Sequence, residues 1–362
     1  RRASRSSANA ADDRSATAWT HGNPARPNAV RMTDNHIRNV FGETVPCNPT
    51  LGICLPVYRR PELLRRSLAS IIESARAFNV PIFISDDSCD DTNRAVLEES
   101  CRNYPPIAWH RNSGNLGIDR NIAQSIELTS CRYAWVMGED DVMVPDAVSS
   151  VMSVLARGSY PFVFVNYMAV SNDYARIVRP RAIELEEDRE FEAADFLSRF
   201  GWATGFLGSC VIERRCWDSV DRTPYVGTFF AHVGTIFEGV KGRRIFALAR
   251  PLVGNRAENA ASFTWSNDAV KVVFGWQRLL DLLVPHYGKD VIDGARRASR
   301  GTFKSHSLVW LLSRRADGAF TIREWRRYIR DGGENAVYRL CALLVSVFPR
   351  QVLVPIKRAL RP

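Results

Sequence analysis

Residues 133–141 read YAWVMGEDD, an apolar run that ends in one glycine and three consecutive carboxylates. A short apolar run of this kind predicts a buried strand, with Glu139, Asp140 and Asp141 at its carboxyl end. Carboxylates this close repel one another and favour a bound cation, and Mg²⁺ or Mn²⁺ is commonly held by one or two of them with water and substrate phosphates. The segment predicts a divalent-cation site. The alternative for an isolated acidic run is a solvated turn.

Apolar runs alternate with amphipathic helices around this segment. Further strands are predicted over residues 51–57, 81–85, 107–110, 161–170 and 245–248. Ser88 and Asp91 have the spacing of a capping box, which predicts that a helix begins there. An alternation of strand and helix about every 25 residues is typical of βαβ units with a parallel sheet. We therefore expect an α/β fold, Rossmann-like, with a mostly parallel sheet flanked by helices.

Polar residues follow two more of the predicted strands. Asp86 and Asp87 come at the end of the second strand, and Asn115 and Gly117 lie in the turn after the third. In open parallel sheets, ligands bind beyond the carboxyl ends of the strands. These residues and the acidic run are therefore expected to meet at one edge, where they form the main candidate site.

The net charge of +10 is distributed unevenly along the chain. Residues 1–50 carry a net +3, residues 51–270 carry −4, and residues 271–362, which we call the basic tail, carry +11. An excess of Lys and Arg indicates a polyanion or an anionic membrane surface as partner, without deciding between them. The charge therefore marks the tail and not the whole protein as the basic part.

Several classes of protein are excluded by the sequence. No run of apolar residues is long enough to span a membrane, and the first residues lack the apolar segment of a secretory signal. The eight cysteines have no CxxC pairing, so we expect free thiols in a reducing compartment and neither a disulfide framework nor a zinc site. These observations predict a cytoplasmic protein.

Four motifs in order carry a resemblance to a known family. They are ICLPVY at 53–58, ISDDS at 84–88, NLGIDRN at 115–121 and GEDD at 138–141. Together they resemble the nucleotide-sugar domain of family 2 glycosyltransferases, which have the GT-A fold. A closer likeness, to bacterial O-antigen transferases of the abequosyltransferase type, rests on HRNS at 110–113, CWD at 216–218, YVGT at 225–228 and ARPLV at 249–253.

The resemblance implies a division of the chain. Residues 1–48 would be a disordered leader, because they are rich in Arg, Ser, Ala, Asn and Pro without a hydrophobic period. Residues 49–265 would form the GT-A domain, with a nucleotide-sugar half over 49–145 and an acceptor half over 146–265. Residues 266–362 would form a basic helical C-terminal region.

The resemblance also assigns roles on the donor side. Tyr58 would lie against the nucleobase, and Asp87, with Asp86 beside it, would bond the base edge. Asp141 would be the direct metal ligand, and Glu139, where the family more often has Asp, would lie nearer the ribose. The implied nucleotide-binding residues are Pro56, Tyr58, Asp86, Asp87, Asn115, Gly117, Arg120, Glu139 and Asp140, and the implied metal ligands are Asp141 and Glu139.

On the acceptor side, the family usually has a carboxylate that acts as general base. The matching stretch, FFAHV at 229–233, has none, and His232 occupies its place. An imidazole titrates near neutrality, as a general base requires. The alternative of equal weight is a packed or substrate-positioning histidine. Asp218 and Asp221 are the reserve catalytic candidates, with the alternative that Asp218 caps a helix. Arg256 is expected to contact the diphosphate from a mobile segment over residues 255–263.

The sequence therefore predicts a metal-dependent, inverting glycosyltransferase that uses Mg²⁺ or Mn²⁺. Its donor would be a CDP-, UDP-, GDP- or dTDP-linked sugar, and its acceptor a lipid-linked oligosaccharide. The basic tail would hold it peripherally on the cytoplasmic face of the inner membrane, at anionic lipid; the alternative is a C-terminal helix packed on the catalytic domain. Nucleic acid is not an expected partner, because the ligand edge is acidic and no nucleic-acid-binding module is present. The rival readings are a basic nucleic-acid-binding protein, a carbohydrate hydrolase, and a related transferase with another donor and acceptor.

Overall fold

A computed structural model describes residues 36–256, 269–300, 307–330 and 336–359. Most of the predicted leader, residues 1–35, lies outside the described residues. So does most of the segment expected to be mobile, because residues 257–268 are not described.

The strands are numbered in chain order. They are β1 (His36–Arg38), β2 (Thr44–Pro46), β3 (Leu51–Val57), β4 (Ile82–Asp86), β5 (Ile107–Arg111), β6 (Tyr133–Val136), β7 (Val142–Met143), β8 (Phe162–Val170), β9 (Ile177–Arg179), β10 (Arg189–Glu192), β11 (Cys210–Glu213) and β12 (Arg244–Arg256).

The helices are numbered in the same way. They are α1 (Pro61–Ala75), α2 (Arg94–Asn103), α3 (Ile118–Glu127), α4 (Ala147–Arg157), α5 (Ala193–Phe200), α6 (Arg214–Asp218), α7 (Ala231–Gly239), α8 (Ala269–Tyr287), α9 (Lys289–Ser299), α10 (Leu308–Asp317), α11 (Ile322–Tyr328), α12 (Ala336–Val347) and α13 (Arg350–Ala359).

The main sheet has the strand order β10-β12-β8-β11-β6-β3-β4-β5. Strands β5, β4, β3 and β6 are mutually parallel, and β8 and β12 run in the same direction because β11 is antiparallel to both β6 and β8. Strand β3 is buried along its whole length, as a central parallel strand covered by helices on both faces should be. The predicted α/β fold with a mostly parallel sheet is confirmed.

The end of β12 returns to the acidic end of β6. The pairing of β12 with β8 shifts between Leu248 and Val253, where Pro251 has no N–H to donate to a ladder. Beyond that irregularity, Val253 and Gly254 pair with the short strand β7, which directly follows the acidic run. Arg256 is therefore brought to the edge at which Glu139–Asp141 lie.

Two sequence predictions near the sheet are wrong. Residues 36–48 are not disordered: β1 and β2 form an antiparallel hairpin, and Ile37 and Cys47 are buried against Phe83 of β4. Ser88 and Asp91 do not form a capping box, because α2 begins later, at Arg94. Ser88 instead turns back to β4, where its N–H donates to the Asp86 side chain.

The C-terminal helices divide between two hydrophobic cores. Trp276, Leu279 and Leu280 of α8 are fully buried in the main core, together with residues of α9. Val270 and Phe274 of the same helix belong to a second, smaller core with residues from α10, α11 and α12. The basic tail is therefore joined to the main core through α8. Among the helices of the described residues, none is both long and apolar enough to cross a bilayer.

Candidate active site

Three carboxylates are buried together where β6 ends. Glu139, Asp140 and Asp141 are 3%, 6% and 5% exposed. The backbone N–H of Tyr58 donates to Glu139 Oε2 at 2.8 Å, which ties the end of β3 to the acidic run. Arg60 lies between two of the carboxylates: its Nε donates to Glu139 Oε1 at 2.6 Å and its Nη1 to Asp140 Oδ2 at 3.0 Å. A side-chain cation therefore offsets part of the charge of the cluster.

Asp141 occupies the tightest position in the cluster. Burial, followed by the neighbouring Asp140 carboxylate, raises the pKa of Asp141 well above its usual value, although backbone N–H groups of Arg256 and Gly138 act in the opposite direction. A Cβ placed on Gly138 would lie 2.3 Å from Asp141 Oδ2, so only a glycine fits there without moving the carboxylate. Arg256 approaches from β12, with its Nε 3.7 Å from Asp140 Oδ2.

The carboxylates fit a divalent cation that takes most of its ligands from substrate and water. Burial raises the pKa of Glu139 to about 7, although the Arg60 guanidinium acts in the opposite direction. Among the described residues, no group of three or more His, Cys, Asp or Glu side chains is arranged to hold a metal ion. Hard cations such as Mg²⁺ are often bound by only one or two carboxylates plus phosphate oxygens. Of the predicted ligands Asp141 and Glu139, Glu139 already accepts hydrogen bonds at both oxygens, from Arg60 and from the N–H of Tyr58, so Asp140 would take its place beside Asp141.

The second acidic pair, at the end of β4, contacts neighbouring loops. Asp86 accepts hydrogen bonds from the N–H of Ser88, from Asn93 Nδ2 and from Trp109 Nε1. Both carboxylates are buried, at 0% and 3% exposure. Asp86 therefore fastens the loop after β4 to the end of β5.

Asp87 holds the turn that leads into α3. It accepts from the backbone N–H groups of Leu116 and Gly117 and from Asn112 Nδ2, at 2.8–3.1 Å. Burial raises its pKa above the usual value, although these donors act in the opposite direction. Asp87 thus fixes the position of the turn that contains Asn115 and Gly117.

The other predicted nucleotide-binding residues differ in their accessibility. Pro56 is buried inside β3, so it supports the site without facing it. Tyr58 is 37% exposed beside the acidic run. Asn115, Gly117 and Arg120 are exposed, and Asn115 Oδ1 accepts from the N–H of Gly117, whose φ of +77° is one that glycine adopts without strain.

A buried carboxylate from α3 organises the loop before α7. Asp119 accepts hydrogen bonds from the backbone N–H groups of Gly227, Phe229 and Ala231 at 2.7–3.1 Å, and burial raises its pKa above the usual value. Ala231 is the first residue of α7, whose N-cap residue Phe230 makes no side-chain cap, and Gly227 and Phe229 lie in the loop before it. Asp119 therefore caps α7 from another helix and brings its N-terminus to the candidate site.

His232 is the second residue of α7 and is almost completely buried, at 2% exposure. Its Nε2 lies 3.2 Å from the carbonyl oxygen of Thr204, and its Nδ1 is buried without a hydrogen-bond partner among the described residues. Burial lowers the pKa of His232 to about 4. The ring is therefore neutral near pH 7 and a weak base, which favours the alternative of a packed or positioning histidine.

Asp218 lies at the opposite edge of the sheet. It is in α6, which follows β11, and Glu213 at the end of β11 pairs with Tyr133 at the start of β6. Its carboxylate accepts a hydrogen bond from Arg214 at 2.9 Å and is 42% exposed. The structure does not bring Asp218 to the acidic run, so it is not a candidate for the general base.

Backbone strain is concentrated at the same edge as the carboxylates. Arg59, Cys89, Tyr174 and Phe229 all have positive φ, between 54° and 67°, in the loops after β3, β4 and β8 and before α7. Non-glycine residues in this conformation cost about 1–3 kcal/mol each and cluster at functional sites. Tyr174 also donates its hydroxyl to the carbonyl oxygen of Asp140 at 2.7 Å, so the loop after β8 lies against the acidic run.

Two residues that build this site were missed in the sequence. Arg60 directly precedes the proline that begins α1. It could have been identified because three neighbouring carboxylates need a cation close to them. Asp119 lies in the first turn of α3, where an acidic residue usually complements the helix dipole. Its contacts are with residues more than a hundred positions away, which no local pattern indicates.

The sequence of this protein is similar to those of known glycosyltransferases. Residues 52–219 match the model of glycosyl transferase family 2. The chain is 28% identical over 257 residues to the abequosyltransferase RfbV of Salmonella typhimurium, covering 67% of this chain and 76% of that protein. It is 24% identical to the UDP-Glc:alpha-D-GlcNAc-diphosphoundecaprenol beta-1,3-glucosyltransferase WfgD of Escherichia coli, covering 37% of this chain and 52% of that enzyme. A Campylobacter jejuni GalNAc(5)-diNAcBac-PP-undecaprenol beta-1,3-glucosyltransferase is also 24% identical, over 41% of this chain and 48% of that enzyme.

The fold has a close counterpart among solved structures. The crystal structure of residues 1–349 of S. aureus TarS matches with a TM-score of 0.60 at 9% identity, and the match covers 86% of this chain and 92% of that one. The expected GT-A architecture is therefore confirmed, with the acidic run at the carboxyl edge of the sheet. Over residues 52–219 the protein is similar to glycosyl transferase family 2, and the comparisons identify it as a glycosyltransferase.

Proposed function

We propose that this protein is a metal-dependent, inverting glycosyltransferase that moves a hexose or deoxyhexose from a nucleotide-sugar to a hydroxyl of a lipid-linked glycan. The observation that carries the proposal is the buried cluster of Glu139, Asp140 and Asp141, with Arg60 beside it, at the ligand edge of a family 2 domain. The likeness to an abequosyltransferase of O-antigen type supports a role in surface polysaccharide synthesis.

The donor side of the site would bind the nucleotide with exposed and charged groups. Tyr58, exposed beside the acidic run, would stack on the base, and Asp87 would support it by fixing the turn with Asn115 and Gly117. Asp141 and Asp140 would hold Mg²⁺ or Mn²⁺, which neutralises the charge of the diphosphate leaving group. Arg60 would then keep Glu139 oriented towards the ribose.

The acceptor would enter from the side of α7. Its hydroxyl would form a bond to the anomeric carbon while the bond from that carbon to the nucleoside diphosphate breaks, so that the configuration inverts and the hydroxyl proton passes to solvent water. The position of α7, held by Asp119, supports this side for the acceptor. We assign His232 as a positioning residue of this helix, because its pKa of about 4 makes it a weak proton acceptor.

Two relatives support the class of acceptor. The E. coli and C. jejuni enzymes are named for glycans on undecaprenyl diphosphate, and the first is also named for a UDP-linked donor. We infer that this protein also glycosylates a lipid-linked sugar, and that it works peripherally at the membrane that holds it. The nucleotide of the donor would be CDP, UDP, GDP or dTDP.

The test is calorimetric binding of CDP, UDP, GDP and dTDP with and without Mn²⁺. We expect one of them to bind, and we expect its affinity to fall at least about tenfold when Mn²⁺ is removed or when Asp141 is replaced by Asn. Asp218→Asn is the matched control, because that carboxylate lies at the opposite edge of the sheet, and it should bind the nucleotide like the wild type. Absence of binding by all four, or unchanged Mn²⁺-dependent binding in Asp141→Asn, would refute the proposal.

A further inference from the structure

Helix α12 presents an apolar face to solvent. Val337, Leu340, Leu344 and Val347 follow one another at spacings of three, four and three residues and are 72%, 58%, 58% and 56% exposed. Phe348 and Val352 extend the same exposed apolar surface into the turn and into α13, at 40% and 48% exposure. We call these six residues the apolar stripe.

The stripe is the outward face of a helix that is otherwise packed. Ala342, Val345 and Ser346 of α12 are buried, and the helix contacts α10 and α11. A helix that is apolar all round is usually buried on every side. A contiguous exposed apolar surface on a folded protein commonly marks a partner. The stripe therefore has the character of a surface that is covered when the protein works.

The surroundings of the stripe are strongly basic. Residues 307–359 contain ten Lys and Arg and four Asp and Glu, a net charge of +6. Two of the acidic residues make contacts within the region: Asp317 accepts from Lys357 at 2.6 Å, and Glu324 closes a capping box with Thr321. The region around the stripe therefore carries an excess of positive charge.

Some of these cations lie beside the stripe itself. The Arg315 guanidinium donates to the carbonyl oxygen of Phe348 at 2.9 Å, which places it at one end of the stripe. Arg326 and Arg327 are exposed on α11, which is fixed to α12 by a hydrogen bond from Trp325 Nε1 to the carbonyl oxygen of Arg339 at 2.9 Å. One guanidinium group therefore lies at the end of the stripe, and two more are exposed on the helix that contacts α12.

We propose that the apolar stripe inserts into the headgroup region of an anionic lipid bilayer. A partner for this surface must accept both apolar side chains and cations, and an anionic membrane does so. A second copy of the chain would bring two basic surfaces together, and a nucleic acid would leave the apolar side chains uncovered. Charge and hydrophobicity therefore select the membrane.

The dimensions of the stripe fix how it binds. From Val337 to Val347 the helix rises about 15 Å, roughly half of the hydrocarbon thickness of a bilayer. Helix α12 therefore lies in the plane of the membrane, with its apolar side chains buried and the neighbouring arginines at the lipid phosphates. The inference rests on the proposed function, because membrane binding would serve to hold the enzyme at a lipid-linked acceptor.

The test measures co-sedimentation of the full chain with vesicles of phosphatidylcholine in which phosphatidylglycerol replaces about a third of the lipid. We expect binding to these vesicles, little binding to pure phosphatidylcholine, and weaker binding at high salt. The double variant Leu340→Gln/Leu344→Gln should bind at least about tenfold more weakly, because its changed side chains are those that enter the bilayer. Leu340→Ala/Leu344→Ala repeats the test with a milder change, and a urea unfolding curve verifies that each variant is folded.

The matched control is Ile177→Gln/Val178→Gln, which removes two exposed apolar side chains from β9, outside the stripe. It should bind the vesicles like the wild type. The inference is overturned if wild type does not bind anionic vesicles, if both Leu340/Leu344 variants bind like wild type, or if sedimentation velocity shows that these changes dissociate a dimer. Nucleoside diphosphate binding, measured on the same proteins, reports separately on the proposed function and should be unchanged in all of them.

Discussion

Asp119 shows how one side chain can connect two halves of a site. Its carboxylate is buried on α3, next to the turn that Asp87 holds, and it accepts three backbone hydrogen bonds from the loop before α7. Asp87 at the end of β4 therefore binds the turn before α3, and Asp119 on α3 binds the start of the helix that carries His232. The donor edge and the expected acceptor side are joined by hydrogen bonds to backbone, which do not depend on the identity of the intervening side chains.

Replacement of Asp119 by Ala should destabilise the protein far more than replacement of Asp218. The first change leaves three backbone N–H groups, of which that of Ala231 is buried, without their acceptor, for which we expect a loss of roughly 3 kcal/mol in the free energy of unfolding. Asp218 is 42% exposed and forms an ion pair with Arg214 on the surface, so its loss should cost less than about 1 kcal/mol. Urea unfolding of both Ala variants measures the difference; equal losses would contradict the capping role of Asp119.

The low pKa of His232 leads us to expect a specific pH dependence of the free energy of unfolding. Its pKa is about 4 in the folded protein and about 6.5 when unfolded, so the unfolded chain takes up the proton first as pH falls. The free energy of unfolding should therefore fall between pH 6.5 and pH 4, by up to about 3 kcal/mol. His232→Gln should lack this component. The check is the difference between wild type and variant across that range, and a constant difference would contradict the low pKa.

At this scale the sequence predicted the positions of the acidic residues better than their contacts. Glu139, Asp140 and Asp141 follow an apolar strand, and topology alone sends them to the ligand edge. Arg60 and Asp119 act on partners about 80 and 110 positions away, and their roles depend on packing that no local pattern contains. Asp218 has the right chemistry for a base, but the antiparallel direction of β11 carries it to the other edge.

Helix α8 is the element that holds the acceptor side against the tail. At Gly275 a Cβ would lie 2.1 Å from the carbonyl oxygen of Thr228, so the helix backbone approaches the loop before α7 directly. Trp276, the next residue, packs edge-on against Phe230 with ring centroids 5.2 Å apart. The position of α8 is therefore fixed by the same loop that Asp119 holds.

Gly275→Ala should reverse the usual effect of this substitution. In an exposed helix interior, alanine in place of glycine stabilises by about 1 kcal/mol. Here the added methyl group meets a backbone carbonyl that cannot turn away, and we expect a net loss of roughly 2 kcal/mol. Gly114→Ala is the control, since no atom lies within 4 Å of its Cβ position. A chemical denaturation series decides the sign; stabilisation by Gly275→Ala would show that α8 does not contact the loop so closely.

Secondary-structure elements were predicted well where one hydrophobic pattern dominated the sequence. The apolar runs of β3, β4, β5, β6 and β8 gave strands close to those observed, because parallel strands are buried on both faces. The start of α2 was wrong because Ser88 bonds back to β4 instead of to the helix. The hairpin of β1 and β2 was missed because its strands are short and polar, and Ile37 alone carries most of its burial.

The whole molecule has one large core and one small one that share α8. The small core contains Val270, Phe274, Leu311, Phe320, Ile329, Ala342 and Val345. A core of this size gives little stability by itself, and its attachment to the main core runs through the opposite face of α8. The helices after α9 are therefore expected to open more readily than the sheet.

Leu311→Ala tests this order of stability. The side chain is fully buried in the small core, and its truncation should cost about 2–5 kcal/mol there. Hydrogen exchange should then increase in α10, α11 and α12 while the strands of the main sheet keep their protection. Equal loss of protection in both regions would show that the protein has a single cooperative unit.

The hydrogen bonds of Asp119 affect how chimeras of such enzymes can be built. By sequence the residue belongs to the nucleotide-sugar half, but its three hydrogen bonds are made to the acceptor half. A chimera that joins the first half of this chain to the second half of a relative would carry the carboxylate without the loop that fits it. Exchange of acceptor specificity between relatives should therefore succeed more often when the first turn of α3 is transferred together with residues 227–231.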